Sequence, residues 1–235
     1  MKIRDFEVQV VRKDIKNLHL SVHPPDGRVR ISVPLNVGDD DVRLAVISRL
    51  PWIRKRQRHF REQPRQSARE MVTGECHYVF GKKYRLKVVE RWGKHEVIVK
   101  NNTALLLHVR PSTTTANRLR VLNDWYREQL KERIPALLTK WQKKVGIEVT
   151  SWGVKRMRTR WGSCNISRKR IWLNLELAKK PSECLEYVLV HELVHLLERH
   201  HNDRFRDFLD RFMPTWRIAR DVLKREPLAH EDWGY

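Results

Sequence analysis

A chain of 235 residues, 40% of them hydrophobic, is long enough for one large domain or two small ones with real cores. Its 49 Lys and Arg against 28 Asp and Glu give a formal net charge of +21, which draws anionic partners such as nucleic acid, an acidic protein surface or an anionic membrane face. No run approaches the ~18 consecutive apolar residues of a membrane span, and Cys76, Cys164 and Cys184 are too few and too scattered for a disulfide scaffold or a Cys-ligated metal.

The charged start Met1-Lys2-Ile3-Arg4-Asp5 lacks the apolar core of a signal peptide, so a cytoplasmic protein without membrane contact is expected. Leu18, Leu20 and Val22 alternate before Pro24-Pro25-Asp26-Gly27, and Val29, Ile31 and Val33 alternate after it, which predicts a hairpin. Asp39 to Asp41 then begin a single helix running towards Phe60, acidic at its start and basic at its end, with Pro51 as the candidate kink. Short strands follow at Tyr78 to Phe80, Tyr84 to Val89, Glu96 to Val99 and Ala104 to Val109, separated by Gly81, Gly93 and Asn101-Asn102. Residues 1–110 therefore read as a β-rich lobe, and Pro111 to Thr115 as the linker to a second lobe over 111–235.

That second lobe opens with apolar residues at helical spacing from Leu119 to Trp141, predicting a long helix over Asn117 to Val145, bent at Pro135. Lys155 to Trp161 and Arg170 to Leu177 read as a second hairpin. Its alternation puts Ile171, Leu173, Leu175 and Leu177 on one face and Trp172, Asn174 and Glu176 on the other. A helix starting near Ser182 is apolar nearly all round, from Leu185 to Leu197, and should be buried.

Inside that helix lie His191, Glu192 and His195. Residues four apart share a helix face, so both imidazoles can reach one metal, and Glu192 stands beside the first of them. Burying two imidazoles and a carboxylate without partners would cost several kcal/mol, by the usual magnitude for such groups; a zinc ion supplies the partner. A catalytic zinc takes three protein ligands and keeps a position open, so a third histidine is needed. His200 and His201 compete for that role. In a straight helix His201 would sit about 15 Å along the axis from His191, at ~1.5 Å per residue. The helix must therefore end soon after His195 and the chain turn back, with Asn202 capping a further helix over Asp203 to Phe212. We favour His201, whose separation from His191 matches the last histidine of HExxHxxGxxH, although Glu198 replaces the glycine of that pattern.

Four blocks in order carry a resemblance: Arg160-Trp161-Gly162-Ser163-Cys164, Ile171 to Leu175, Tyr187 to Leu196 with the histidine pair, and His201-Asn202-Asp203-Arg204-Phe205. Together they resemble the YgjP-like metallopeptidase family, relatives of the SprT-like zinc proteins. The resemblance implies one zinc per chain on His191, His195 and His201, with Glu192 as general base. It also implies an α+β fold in which the β-rich lobe precedes a minimal zincin-like core of long helix, hairpin, metal helix and C-terminal helices. Protein or peptide is then the substrate, hydrolysed by a zinc-activated water whose proton Glu192 takes. A second electrophile is sought among Arg160, Tyr187 and Asn174, and Cys164 reads as a structural thiol.

The charge offers an alternative: a basic DNA- or RNA-binding protein in which the zinc is structural or idle. Basic residues cluster with aromatics at Arg49 to Arg69, around Trp52, and again at Lys155 to Arg170. In the second cluster Arg156, Arg158, Arg160, Trp161 and Arg170 are the candidates for touching substrate or nucleic acid.

Overall fold

Period-two burial organises the first strands. In the computed structural model, which describes residues 1–3, 5–23, 27–62, 69–157 and 160–225, β1 (Lys2–Ile3), β2 (Phe6–Lys13), β3 (His19–His23) and β4 (Arg28–Pro34) form one sheet. Its order is β1-β2-β4-β3, with β2 and β4 parallel. The expected hairpin is β3 and β4, antiparallel with Leu20 opposite Ile31; Pro24, Pro25 and Asp26 of its turn lie outside the described residues. Val29, Ile31 and Val33 all point inward from β4.

The single helix expected from Asp39 is two, α1 (Asp39–Ile47) and α2 (Leu50–Glu62). Pro51 explains the break. In a continuous helix its ring would strike the carbonyl of Ile47, whereas in the first turn of α2 its missing N–H is no loss. Val42 and Val46 of α1 and Ile53 of α2 close the core over Ile3, Val8 and the three β4 residues. These elements make one compact unit, within residues 1–65.

A second compact unit lies within residues 66–230, so the strands of 76–109 belong to the same unit as the metal helix. They are β5 (Cys76–Val79), β6 (Lys82–Glu90), β7 (Glu96–Lys100) and β8 (Ala104–Val109), in the order β5-β6-β8-β7. The long helix is α3 (Thr115–Val145), begun by Thr114, whose hydroxyl accepts from the Asn117 N–H, and ended by Gly146 in the left-handed region at φ 77°. Leu122, Tyr126, Leu130, Ile134, Leu138 and Trp141 form its buried stripe, spaced by fours and a three as an amphipathic helix requires.

The next sheet departs from expectation. β9 (Ser151–Lys155), β10 (Gly162–Asn165) and β11 (Arg170–Asn174) stand in the order β10-β11-β9, with β11 antiparallel to β10 and parallel to β9. Lys155 to Trp161 is thus no hairpin arm, and the arm opposite β11 begins at Gly162. The strand stops at Asn174, and Leu175–Lys179 is a 3-10 helix. Two causes are visible. The Asn174 carboxamide accepts from the Glu176 N–H and starts the new turn, and Leu175, Glu176, Leu177 and Ala178 are all buried in succession, whereas Arg170 to Leu173 of β11 bury only alternate residues. The β5–β6 turn is tied to this 3-10 helix through Phe80 N–H to the Ala178 carbonyl, at 2.8 Å. Then come α4 (Ser182–Val194), α5 (Asp203–Phe212) and α6 (Trp216–Arg225). Buried apolar residues all round α4 pack against α3, α5, α6 and the sheet of β9 to β11. The fold is α+β, with β-rich sheets in the N-terminal half.

Candidate metal centre and active site

Helix α4 ends where the site needs it to end. Leu196 and Leu197 donate to the carbonyls of Leu193 and Val194, three residues back, so the last turn tightens and the chain leaves the helix axis. The Asn202 side chain then accepts from the Phe205 N–H at 3.0 Å and starts α5. Glu198, in place of the expected glycine, braces this turn: its carboxylate accepts from the His200 N–H at 3.1 Å. That bond, with Arg204 nearby, holds the carboxyl below its usual range.

The reversal brings His201 to the histidine pair. One ligand nitrogen from each of His191, His195 and His201 lies within 4.8 Å of the other two, and the Nε2 atoms of His191 and His201 are 3.0 Å apart. Two imidazole nitrogens on one tetrahedral zinc stand about 3.3 Å apart, given Zn–N bonds near 2.0 to 2.1 Å. His200 is exposed and outside this group.

The donor set fits a metal in its protonation as well as its spacing. Burial, reinforced by the neighbouring His195 and His201, lowers His191 to about 3, so its ring stays neutral and keeps a lone pair. Burial lowers His195 too. Nδ1 of His195 lies 3.2 Å from the Glu198 carbonyl, which can only accept; the proton therefore sits on Nδ1 and Nε2 is left to bind. His201 is exposed, which leaves one side of the triad open to a substrate.

Glu192 is buried at 5% exposure directly behind β10. A Cβ built on Gly162 would lie 2.6 Å from its Oε1 and 2.8 Å from its Cγ, so only glycine lets the strand pass this close. Burial pushes the carboxyl up to about 8, and the charge of Arg160 opposes that rise. In the same strand, burial and the Glu192 charge raise the Cys164 thiol to about 11, which leaves it protonated and unreactive at neutral pH.

The remaining expected residues divide. Asn174 is fully buried and structural: its Nδ2 donates to the carbonyls of Met157 and Arg160, at 2.8 and 2.7 Å. Tyr187 is buried, stacked on Trp216 with centroids 6.1 Å apart, and raised to about 12 chiefly by burial. Arg160 and Arg156 are exposed; Arg158 lies outside the described residues. Trp161 packs against the core, and Arg170 lies over Trp172 with its guanidinium carbon 4.2 Å from the ring centroid.

Phe205 was not among the expected site residues. Its ring centroid is 4.9, 4.7 and 4.8 Å from those of His191, His195 and His201, so one buried ring backs all three imidazoles. The signal was in the sequence, since a cap at Asn202 places Phe205 in the first turn of the following helix.

Among proteins of curated function, none matches the chain. Among the solved structures that overlap part of it are two metallopeptidase zymogens. One is the metallopeptidase zymogen abylysin of Pyrococcus abyssi, at 19% identity and TM-score 0.35, covering 40% of this chain and 99% of that one. The other is the metallopeptidase zymogen jannalysin of Methanocaldococcus jannaschii, at 20% identity and TM-score 0.34, covering 38% and 92%. The model of the YgjP-like metallopeptidase domain matches residues 16–226, nearly the whole length. The chain belongs to the YgjP-like metallopeptidase family.

Proposed function

We propose that the protein is a zinc-dependent peptidase in which His191, His195 and His201 hold one zinc ion and Glu192 moves the protons of peptide hydrolysis. The observation that carries this reading is the closeness of three imidazoles, within 4.8 Å, at the end of the helix that also carries a buried carboxyl. Zinc held there supplies Lewis-acid chemistry, acidifying water and polarising a carbonyl oxygen. Glu192 takes a proton from the attacking water and returns it to the leaving amine. Burial raises the proton affinity of its ionised form, and a cation held by the three histidines would favour that ionised form at neutral pH. Asn174 keeps the carbonyl of Arg160 in place, and Arg160 contributes the positive charge nearest in effect to Glu192.

The substrate reading follows from β10. It is the outer strand of its sheet among the described residues, pairing with β11 on one side, and it packs against α4. An extended peptide that adds to its other edge would run past Glu192, with main-chain hydrogen bonds fixing its register. The test is Glu192→Gln, assayed on a mixture of quenched fluorescent peptides with metal content measured on the same sample. Retained metal with cleavage reduced at least about a hundredfold is expected for loss of a general base. Turnover at the wild-type rate would remove Glu192 from this role.

Association with nucleic acid is the second reading. It rests on the net charge of +21 and on how that charge is distributed along the metal-binding unit.

A further inference from the structure

Between Glu148 and Glu176 the chain carries seven Lys and Arg and not one Asp or Glu. Elsewhere in the same unit cations and anions alternate and pair: on α3, Arg127 meets Asp124 at 2.7 Å and Lys131 meets Glu128 at 2.9 Å. The acid-free stretch is the sheet of β9, β10 and β11.

Strand alternation sorts that sheet into two faces. Ile171 and Leu173 of β11 point into the core, on the side where Gly162 meets Glu192. Arg170 and Trp172 point the other way. The parallel register sets Gly153 of β9 beside Trp172, and a Cβ there would come within 2.5 Å of Trp172 Cζ3. Position 153 must therefore stay bare for the indole to lie across the neighbouring strand. Two cations gather at the ring, the Arg170 guanidinium at 4.2 Å and Lys155 Nζ at 4.8 Å from its centroid. The Arg170 Nε is buried with no hydrogen-bond acceptor. At the end of the face the β10–β11 turn is built by Asn165, whose Oδ1 accepts from the Arg168 N–H and the Ser167 hydroxyl, and it presents exposed Arg168 and Lys169.

We propose that this outer face is a binding platform for single-stranded nucleic acid, on the opposite side of the sheet from Glu192. The inference rests on the nucleic-acid reading above and gives it a location. The indole lies flat on the sheet with the Arg170 guanidinium over it, and that layered pair offers an unpaired base a plane to stack on, with phosphates taken by Lys155, Arg168 and Lys169. A duplex hides its base faces and gains nothing from the ring. An anionic membrane or an acidic protein would use the charge alone. Because peptide would lie along β10 and α4, a nucleic acid and a peptide can be held at once on the two faces of one sheet, which would direct the peptidase to proteins on nucleic acid.

The experiment is fluorescence anisotropy of labelled 20-nucleotide single strands, RNA and DNA, with the matching duplex and phosphatidylserine vesicles as alternatives, at several salt concentrations. Wild type and Glu192→Gln are both measured, so the readout does not depend on turnover. The variants are Lys155→Glu, Arg170→Glu and Trp172→Leu, with Lys143→Glu on the exposed side of α3 as the same charge change elsewhere, and thermal melts confirm folding. We expect single strands to bind more tightly than duplex, with salt-sensitive affinity. Lys155→Glu and Arg170→Glu should each weaken binding by about tenfold and Trp172→Leu by about fivefold or more, while Lys143→Glu stays within about twofold of wild type. The proposal is overturned by absence of binding at low salt, by equal loss in Lys143→Glu and Lys155→Glu, or by vesicles or duplex binding as well as single strands with Trp172→Leu unchanged. A failure of Glu192→Gln to lose cleavage would touch the peptidase reading only.

Discussion

Gly162 and Glu192 touch so closely that no side chain fits between them: a Cβ at 162 would stand 2.6 Å from the Glu192 Oε1 and 2.8 Å from Val188 Cγ1. The bare strand position and the buried carboxyl are one device, because β10 forms the wall against which Glu192 is held. Gly162→Ala should therefore displace Glu192 rather than unfold the domain. Overpacking of this size costs about 1 to 3 kcal/mol. The expected result is a melting temperature lower by several degrees, retained metal, and kcat reduced more than KM is raised. Unchanged kcat would show that Glu192 is not held by this contact.

Phe205 gives a second prediction. A ring equidistant from three imidazoles limits how each can tilt, so removing it should loosen the ligand set. Phe205→Leu keeps most of the buried volume and serves better than alanine, which would open a cavity costing about 3 to 5 kcal/mol. Support of this kind is worth about 10- to 100-fold in metal affinity. Competition against a chelator measures it, and an affinity equal to wild type would reduce Phe205 to ordinary core.

The acid side of the metal-free protein's stability follows from its buried histidines. His77, buried beside Glu75, is lowered to about 4 and His191 to about 3, both chiefly by burial. In the unfolded chain they titrate near 6.5, so below that pH the unfolded state binds more protons and stability is lost as pH falls towards 4 and 3.

Glu192 acts in the opposite sense. Raised from 4.5 to about 8, it gives stability that is complete below 4.5 and lost as pH rises through 8. Chelator-treated protein should therefore be most stable near pH 6.5, and Glu192→Gln should flatten the decline between 6.5 and 8 while leaving the acid limb. Melting temperature against pH checks both limbs; an identical alkaline limb in the variant would contradict the burial of a carboxylate at this site.

Much of the site was legible because helical spacing is a local property. The pair His191 and His195, the end of α4, the Asn202 cap and the position of His201 all follow from residues within a dozen of one another. The sheet beside the site was not, since its pairing is settled by distant contacts. The alternation Ile171, Leu173, Leu175, Leu177 continues a strand pattern beyond Asn174, but the run from Leu175 to Ala178 is buried on all sides and Asn174 starts a turn. Ser151–Lys155 joined β11 in parallel, a register that no turn residue announces. Nothing local marks the role of Gly162; its need for close approach to Glu192 exists only once β10 and α4 are packed together. The helix break before Leu50 was marked by Pro51, and the steric reach of proline to the carbonyl four residues back decides between a kink and two helices.

The most direct test of the central claim is metal content by mass spectrometry on protein purified without added metal, comparing wild type, His200→Ala and His201→Ala after confirming that each is folded. About one zinc per chain is expected in wild type and His200→Ala, and loss of that zinc in His201→Ala. A folded wild type without metal, or a variant at 200 that loses it while His201→Ala keeps it, would contradict the three-histidine site.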